Sequence, residues 1–340
     1  MLKTAEAVSI GHPDKTADYI SSYILDRFIE QDSSVRYAVE VMVKNNTVVL
    51  GGEIAGRIDL SNLSDYVMDA LRDIGYDERY ADIWQDKAIN IKQLKIVNLI
   101  GIQSPDIARG IYQDGWGDQG VFVGYACPGE DHINRELYLA KKLNKTLYNL
   151  ARQSDYLGID IKTQITVDEG GHVTTAIVAV PMLEPQDLTD CIISVLGDKP
   201  DQIIINGTGI YQIHSSVADC GITGRKLACD FYATACPIGG GSPWTKDAGK
   251  ADLTLNLYAR YLALRYLKGN DECFVYLSSC IGRADLPNAR IVTVKQGHIL
   301  SWDIDIHQTP REIIRLLELD KPVFADMCRN GFVESVLRFE

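Results

Sequence analysis

Residues 37–54, Tyr37-Ala38-Val39-Glu40-Val41-Met42-Val43-Lys44-Asn45-Asn46-Thr47-Val48-Val49-Leu50-Gly51-Gly52-Glu53-Ile54, read as two strands joined by a short polar turn. Apolar, mostly β-branched residues recur at every second position on both sides of Asn45-Asn46, and asparagine tolerates the left-handed backbone that a two-residue hairpin needs. Upstream, Ala17, Ile20, Ile24 and Phe28 recur at helical spacing behind Pro13, a residue suited to a first helical turn. Downstream, residues 60–74 resume a helical pattern. The unit is therefore helix, hairpin, helix.

The same order recurs twice. Leu137, Ala140, Leu147 and Leu150 predict a helix, strands flank Glu169-Gly170-Gly171, and residues 188–196 predict the closing helix. Leu255, Ala259, Leu262 and Tyr266 predict a third opening helix, followed by a hairpin about Gln296-Gly297 and a helix over residues 311–319. Hairpins with helices segregated from them predict an α+β fold of mixed or antiparallel sheets, each covered on one face by helices. Low-complexity segments and long linkers are absent from the sequence, so the units are expected to pack intimately.

A chain of 340 residues can bury a large core and divides into two or three domains. Its 34 Lys and Arg against 46 Asp and Glu give a net charge of −12, which argues against general affinity for nucleic acid or an anionic membrane. Basic residues that bind an anion here must be locally concentrated. No apolar run approaches the roughly 20 residues of a membrane span, and the N-terminus lacks the form of a signal peptide; a cytoplasmic enzyme is expected. Eight cysteines contain no Cys-x-x-Cys pair and six histidines are scattered, so reduced, mostly buried thiols are expected and neither a zinc knuckle nor a redox pair is indicated.

The basic residues do concentrate. Asp219-Cys220-Gly221-Ile222-Thr223-Gly224-Arg225-Lys226, with Gly239-Gly240-Gly241-Ser242-Pro243-Trp244-Thr245-Lys246-Asp247-Ala248-Gly249-Lys250-Ala251-Asp252, gathers four cations, three carboxylates and six glycines. That mixture suits a polyphosphate and the metals that neutralise it. Gly11-His12-Pro13-Asp14-Lys15 places Asp14 at a predicted helix N-terminus, where backbone N–H groups also favour anions, with His12 just outside.

These runs, together with Gly117-Asp118-Gln119-Gly120, resemble the S-adenosylmethionine synthetase family from about residue 4 to about residue 332. The resemblance implies three similar domains about a pseudo-threefold axis; the expected cuts are residues 1–103, 104–217 with a lid loop at 104–117, and 218–340. It also implies the reaction. The sulfur of L-methionine attacks the 5′ carbon of ATP, expels tripolyphosphate, and the tripolyphosphate is hydrolysed to pyrophosphate and phosphate. A sulfonium forms as a highly charged anion departs, so metals, Lys and Arg should provide the largest stabilisation. No covalent nucleophile is needed, and none is suggested by the sequence.

Matching motif by motif, the resemblance gives Asp14 and Asp252 to Mg²⁺, expected as two ions, and Glu40 to K⁺. Mg²⁺ usually takes one or two carboxylates plus phosphate oxygens; a helix cap would account for either Asp on its own, and a solvated strand face for Glu40. His12, Arg225, Lys226 and Lys246 match phosphate-side residues, with His12 a hydrogen-bond donor to the leaving oxygen. In Asp160-Ile161-Lys162-Thr163-Gln164, alternation puts Asp160, Lys162 and Gln164 on one face, and the family sets its matching Lys and Asp against the sugar and triphosphate. His12, Lys162, Arg225 and Lys246 are thus the catalytic candidates. Glu53, Gln103, Asp118 and Lys250 match methionine-binding positions, a carboxylate for the ammonium and a Lys for the carboxylate. Tyr211 and Ile281 match the pair that sandwiches adenine, for which a core role is the alternative, while Asp219 and Asp160 could accept ribose hydroxyls.

Two other motifs fail their context. Gly115-Trp116-Gly117-Asp118-Gln119-Gly120 satisfies Gly-x-Gly-x-x-Gly but leads into the apolar Val121-Phe122-Val123 and opens no helix, and the triple-glycine segment lacks the Gly and Ser or Thr around Lys246 that a P-loop requires. Ile10, Gly207, Tyr211 and Ile238 depart from the usual family pattern, and the segment between Gln103 and Asp118 is shorter than usual. The family forms its site between subunits, which implies a homodimer or homotetramer. The alternatives are a non-catalytic nucleotide-binding or regulatory relative, and the same fold with a changed acceptor.

Overall fold

The computed structural model describes residues 2–102 and 115–339. Its strands are β1 (Lys3–Val8), β2 (Arg36–Lys44), β3 (Thr47–Ala55), β4 (Lys95–Ile102), β5 (Gly120–Ala126), β6 (Lys162–Val167), β7 (Val173–Ala179), β8 (Gln202–Ile205), β9 (Gly221–Ile222), β10 (Glu272–Ser279), β11 (Asn288–Lys295) and β12 (His298–Asp303). They form three four-stranded sheets, ordered β4-β3-β2-β9, β1-β6-β7-β8 and β12-β11-β10-β5. One long helix lies on each: Pro13–Gln31 on β2 and β9, Arg135–Ala151 on β1 and β6, Ala251–Leu267 on β5 and β10. The fold is α+β with the same unit used three times.

The first hairpin closes as the alternation predicts. Tyr37, Val39, Val41, Val43, Val48, Leu50 and Ile54 are buried beneath the helix, and Asn45 takes the left-handed backbone at the turn (φ 53°). Ala17, Ile20, Ile24 and Phe28 on that helix are all fully buried, which removes from water the stripe read from the sequence. In the third unit the sequence reading is corrected. The hairpin about Gln296-Gly297 joins β11 to β12, whereas the pair equivalent to β2–β3 and β6–β7 is β10–β11. The compact Gln-Gly turn is the stronger local signal, whereas residues 280–287, which join the equivalent pair, spread Gly282 and Pro287 over a longer loop. Ala251–Leu267 is buried almost all round, so its single-stripe reading was too narrow; Tyr266, read as core, is 36% exposed.

Each sheet also borrows a strand that the local pattern does not predict. β9 pairs antiparallel with β2, β1 with β6 and β5 with β10, across sequence separations of well over a hundred residues. These loans interlock the units. All eight cysteines are free, and five of them are buried. Among the described residues no helix is long and apolar enough to cross a membrane.

β5 approaches its helix closely enough that Gly124 is required: a Cβ there would collide with the Ala259 carbonyl. Gly124→Ala is expected to lower stability by about 2 kcal/mol or more, because neither backbone can retreat without disturbing β10. Denaturant unfolding followed by circular dichroism checks this; an unchanged midpoint would show that the sheet and helix can separate freely.

Candidate active site

Pro13 opens the Pro13–Gln31 helix and His12 caps it, with its Nδ1 accepting the Asp14 N–H at 3.2 Å. That bond requires an unprotonated Nδ1, so the neutral ring carries its hydrogen on Nε2. Burial, joined by the charges of Lys226 and Lys162, lowers the His12 pKa to about 3 against the opposing pull of Asp14 and Asp219. His12 is therefore a neutral donor at physiological pH. Asp14 is fully buried; its Oδ1 accepts the Ile222 N–H at 3.0 Å and its Oδ2 accepts from Lys226 Nζ at 2.5 Å, with Arg225 Nε 3.8 Å from Oδ1. Burial opposes its ionisation, but Lys226 and the Ile222 amide outweigh it and hold the carboxyl below the usual range.

One residue along, Lys15 is buried between Asp18 (3.1 Å) and Asp230 (2.8 Å) and lies 4.2 Å from the Trp244 ring. Asp18 accepts the Gly224 N–H at 2.8 Å, and Asp230 accepts the Trp244 Nε1–H at 2.7 Å. The helix that carries Asp14 is thereby tied to both basic segments. Sequence reading quoted Lys15 in its motif without assigning it anything; the i,i+3 spacing to Asp18 was the available signal.

Asp160 precedes β6, and its Oδ2 accepts the Ser215 N–H at 2.9 Å. Burial pushes its pKa up to about 6 despite that bond and Lys162, with Asp219 and Asp14 adding to the rise. Lys162 opens β6 with its side chain exposed, as alternation predicts. Burial, with some help from Asp160, raises the Tyr211 pKa. Asp219 is exposed and accepts the Cys220 N–H at 2.7 Å. His12, Asp14, Asp160, Lys162, Asp219, Arg225 and Lys226 thus form one electrostatic neighbourhood built from three distant parts of the chain.

Glu40 links this group to the second basic segment. It accepts from Thr223 Oγ1 with one oxygen and from Thr245 Oγ1, at 3.1 Å, with the other. Residue 245 and its successors run beside β2, with Thr245 O accepting the Val39 N–H at 3.1 Å and Asp247 Oδ2 accepting the Tyr37 N–H at 2.8 Å. Lys246 Nζ meets Asp252 Oδ2 at 2.5 Å, Lys250 Nζ lies 3.8 Å from Asp247, and a Cβ on Gly241 would collide with the Asp252 carboxylate. Among the described residues no three His, Cys, Asp or Glu side chains converge as a metal cage. Asp14 and Asp252 are instead single carboxylates, each bearing a lysine ammonium, a donor set that fits Mg²⁺ completed by phosphate oxygens and water. Glu40, with its two threonine hydroxyls, offers hard oxygen donors suited to an alkali cation.

The remaining candidates are spread. Glu53, on β3, lies opposite Ala38 of β2, on the sheet face that also holds Glu40 of β2. Asp118 is exposed beside β5, its carbonyl accepting from Ser279 Oγ at 2.7 Å, and Ile281, 56% exposed, follows β10 near it. Gln103 and most of the 104–117 segment lie outside the described residues. Of the site partners that received no role from the sequence, Thr223 and Thr245 sit inside the quoted runs but far in sequence from Glu40, while Ser215 and Asp230 lie outside every motif.

The S-adenosylmethionine synthetase N-terminal, central and C-terminal domain profiles match residues 1–105, 113–207 and 213–340 in that order. The chain is 32% identical to S-adenosylmethionine synthase 2 of Rhodospirillum rubrum, across 97% of this chain and 91% of that protein, and 32% identical to the S-adenosylmethionine synthase of Paramagnetospirillum magneticum, across 97% and 92%. Among solved structures it is similar to one described as an unusual S-adenosylmethionine synthetase from Campylobacter jejuni, with a TM-score of 0.85 and 30% identity over 97% of this chain and 94% of the other.

Because the folded Asp160 pKa is raised to about 6, its favourable contribution is present below the unfolded value near 4 and is lost as pH rises through 6. Asp160→Asn should therefore gain stability relative to the parent as pH goes from 4 to 7, by on the order of 1 kcal/mol after solvent screening. Chemical denaturation of both proteins across that range isolates the difference; a gap that is flat or of opposite slope would contradict the burial of this carboxyl.

Proposed function

The chain belongs to the S-adenosylmethionine synthetase family, and on that premise we propose that it converts ATP, L-methionine and water to S-adenosylmethionine, pyrophosphate and phosphate through enzyme-bound tripolyphosphate. The observation that carries the proposal is the convergence of neutral His12, buried Asp14, Asp160, Lys162, Arg225 and Lys226 at one helix N-terminus, with Lys246, Lys250 and Asp252 joined to them through Glu40.

In the displacement the methionine sulfur lone pair forms the new bond to C5′ while the C5′–O5′ electron pair leaves with the tripolyphosphate, and no proton need move. His12 Nε2–H can donate to that departing oxygen without first losing or gaining a proton. Lys162 stands beside His12 at the mouth of β6, suited to charge developing at the bridging oxygen. Arg225, Lys226 and Lys246 grip the triphosphate, Arg225 with a guanidinium that can span two phosphoryl oxygens. When bound at Asp14 and Asp252, Mg²⁺ supplies charge neutralisation of the polyphosphate. Glu40 would hold K⁺ and, through Thr223 and Thr245, keep the two basic segments in register. Asp160 and Asp219 take ribose hydroxyls, Tyr211 and Ile281 the adenine, and Glu53, Gln103, Asp118 and Lys250 the methionine.

The exposed face of the β4-β3-β2-β9 sheet supports assembly. Met42, Val97, Leu99 and Ile222 leave apolar surface there, on the face that carries Glu40 and Glu53. A homodimer, or a homotetramer built as a dimer of dimers, formed on this face would complete the site with residues of a second subunit. The three sequence units, cut near 103 and 217, are the proposed domains, and the cytoplasm is the proposed compartment.

Incubating the purified protein with ATP, Mg²⁺, K⁺ and methionine and assaying sulfonium product and phosphate tests the reading. ATP binding without product would favour a regulatory relative, and product formed only with another acceptor would favour changed specificity. Asp14→Asn and Asp252→Asn should each lower turnover at least a hundredfold at saturating Mg²⁺, and Glu40→Gln should abolish any acceleration by K⁺; near-normal rates would remove those assignments. The two half-reactions separate the cations. Lys162→Ala should slow sulfonium formation more than hydrolysis of added tripolyphosphate, and Arg225→Leu should do the reverse; equal losses in both variants would overturn the division of roles.

A further inference from the structure

His214 is 1% exposed, packed edge-on to Trp84 at 4.6 Å and to Tyr80 at 5.9 Å between ring centroids, with Tyr80 itself stacked on Trp84. Its Nδ1 lies 2.7 Å from the Gln212 carbonyl oxygen, which can only accept, so Nδ1 carries the hydrogen and Nε2 is the acceptor. Tyr80 Oη, 2.5 Å from Nε2, must then donate to it, and the same oxygen accepts the Ile159 N–H at 3.2 Å. Every hydrogen in the relay has one direction. Burial, opposed by the Gln212 contact, lowers the His214 pKa to about 4 and keeps this tautomer uncharged.

The relay ties residue 159 to residue 214. The next residue along each segment is tied as well, by the Ser215 N–H on Asp160 Oδ2. These are two adjacent rungs of one ladder. The second rung needs the first because Ser215 takes a left-handed backbone (φ 54°), which a non-glycine residue keeps only where its surroundings impose it. The other restraints are in place: the His214 N–H on Lys87 O at 2.8 Å, the Ile89 N–H on Ser215 Oγ at 2.8 Å and Ser216 Oγ on Asn45 O at 2.6 Å. Gly158 leaves the room the imidazole occupies, since a Cβ there would press on Pro181 and lie 3.1 Å from Nε2. With Oδ2 held, Asp160 Oδ1 is buried and has no hydrogen-bond partner among the described residues. The Ser215 contact thus fixes which way the carboxyl group is turned.

We propose that His214 is a positioning residue: through Tyr80 and Ser215 it fixes which oxygen of Asp160 faces the nucleotide, and so sets the affinity for a ribose hydroxyl. The inference rests on the reading of Asp160 as a ribose acceptor. It makes His214 silent whenever that hydroxyl is missing.

The test is calorimetric binding of ATP, 2′-deoxy-ATP and 3′-deoxy-ATP to the full-length protein and to His214→Ala, with tripolyphosphate hydrolysis as control. The substitution should weaken ATP about tenfold, leave unchanged the binding of whichever deoxy analogue the parent itself binds less tightly, and leave tripolyphosphate hydrolysis as it was. His214→Gln, which keeps an acceptor for Tyr80, should recover most of the loss, and it serves in place of alanine if that variant does not fold, with Tyr80→Phe then reproducing the defect. Equal weakening of all three nucleotides, or a matching loss in tripolyphosphate hydrolysis, would reduce His214 to general stability and end the proposal. If the parent binds no ATP, the reading of function falls instead. The relay is then decided by hydrogen exchange at the Ser215 amide, which His214→Ala should speed at least tenfold; unchanged exchange would overturn it.

Discussion

The buried ammonium of Lys15 is the contact on which the rest of the site depends. It stands between Asp18, whose pKa burial pushes up to about 7 against the pull of Lys15, and Asp230, and those two side chains hold the Gly224 amide and the Trp244 indole, one in each basic segment. Removing one partner from a buried ion pair typically costs about 3–5 kcal/mol, because the charge left behind has no water to return to. A buried cation thus sets where Arg225, Lys226 and Lys246 stand relative to Asp14. Burial alone would have made this arrangement unfavourable, and it survives because each charged atom finds a partner of opposite sign or an N–H.

The electrostatics of the molecule run opposite to its site. A net charge of −12 repels polyanions at long range, yet His12 is held neutral by burial together with nearby lysines, and Asp14 is held ionised against burial by Lys226 and the Ile222 amide. Screening confines the global charge to within about a Debye length, roughly 8 Å at physiological salt, so local cations decide what binds. Lys226 and Lys246 each sit on a carboxylate, which keeps the cluster from being a bare concentration of positive charge.

What could be read from the sequence was local. Alternation about Asn45-Asn46, the stripe behind Pro13 and the contiguous motifs at residues 11–15, 221–226 and 239–252 all express themselves within a few residues, and each forms as its spacing predicts. Motif residues were legible because they sit together in the chain. Their contacts were not: Thr223 and Thr245, though inside the quoted runs, give no local sign of Glu40, and Ser215 under Asp160 and Tyr80 facing His214 from 134 positions away are ordinary polar or aromatic residues until folding brings them together. The hairpin about Gln296-Gly297 forms, but it is not the third unit's equivalent of β2–β3, since a compact two-residue turn outranks a pairing made across the longer loop at 280–287. The borrowed strands β1, β5 and β9 carry no local sign of their destination, because sheet membership is decided by which edge is open when the chain arrives.

Those loans impose an order on synthesis. As the chain leaves the ribosome, β1 emerges first but waits for β6, β2 waits for β9, and β5 waits for β10, so no sheet can close from its own neighbourhood in sequence. At roughly 5–20 residues per second, each edge stays open for several seconds or longer before its partner exists. A nascent chain of this design must carry unpaired strand edges for much of its translation, and the third sheet closes only once β10 has been made.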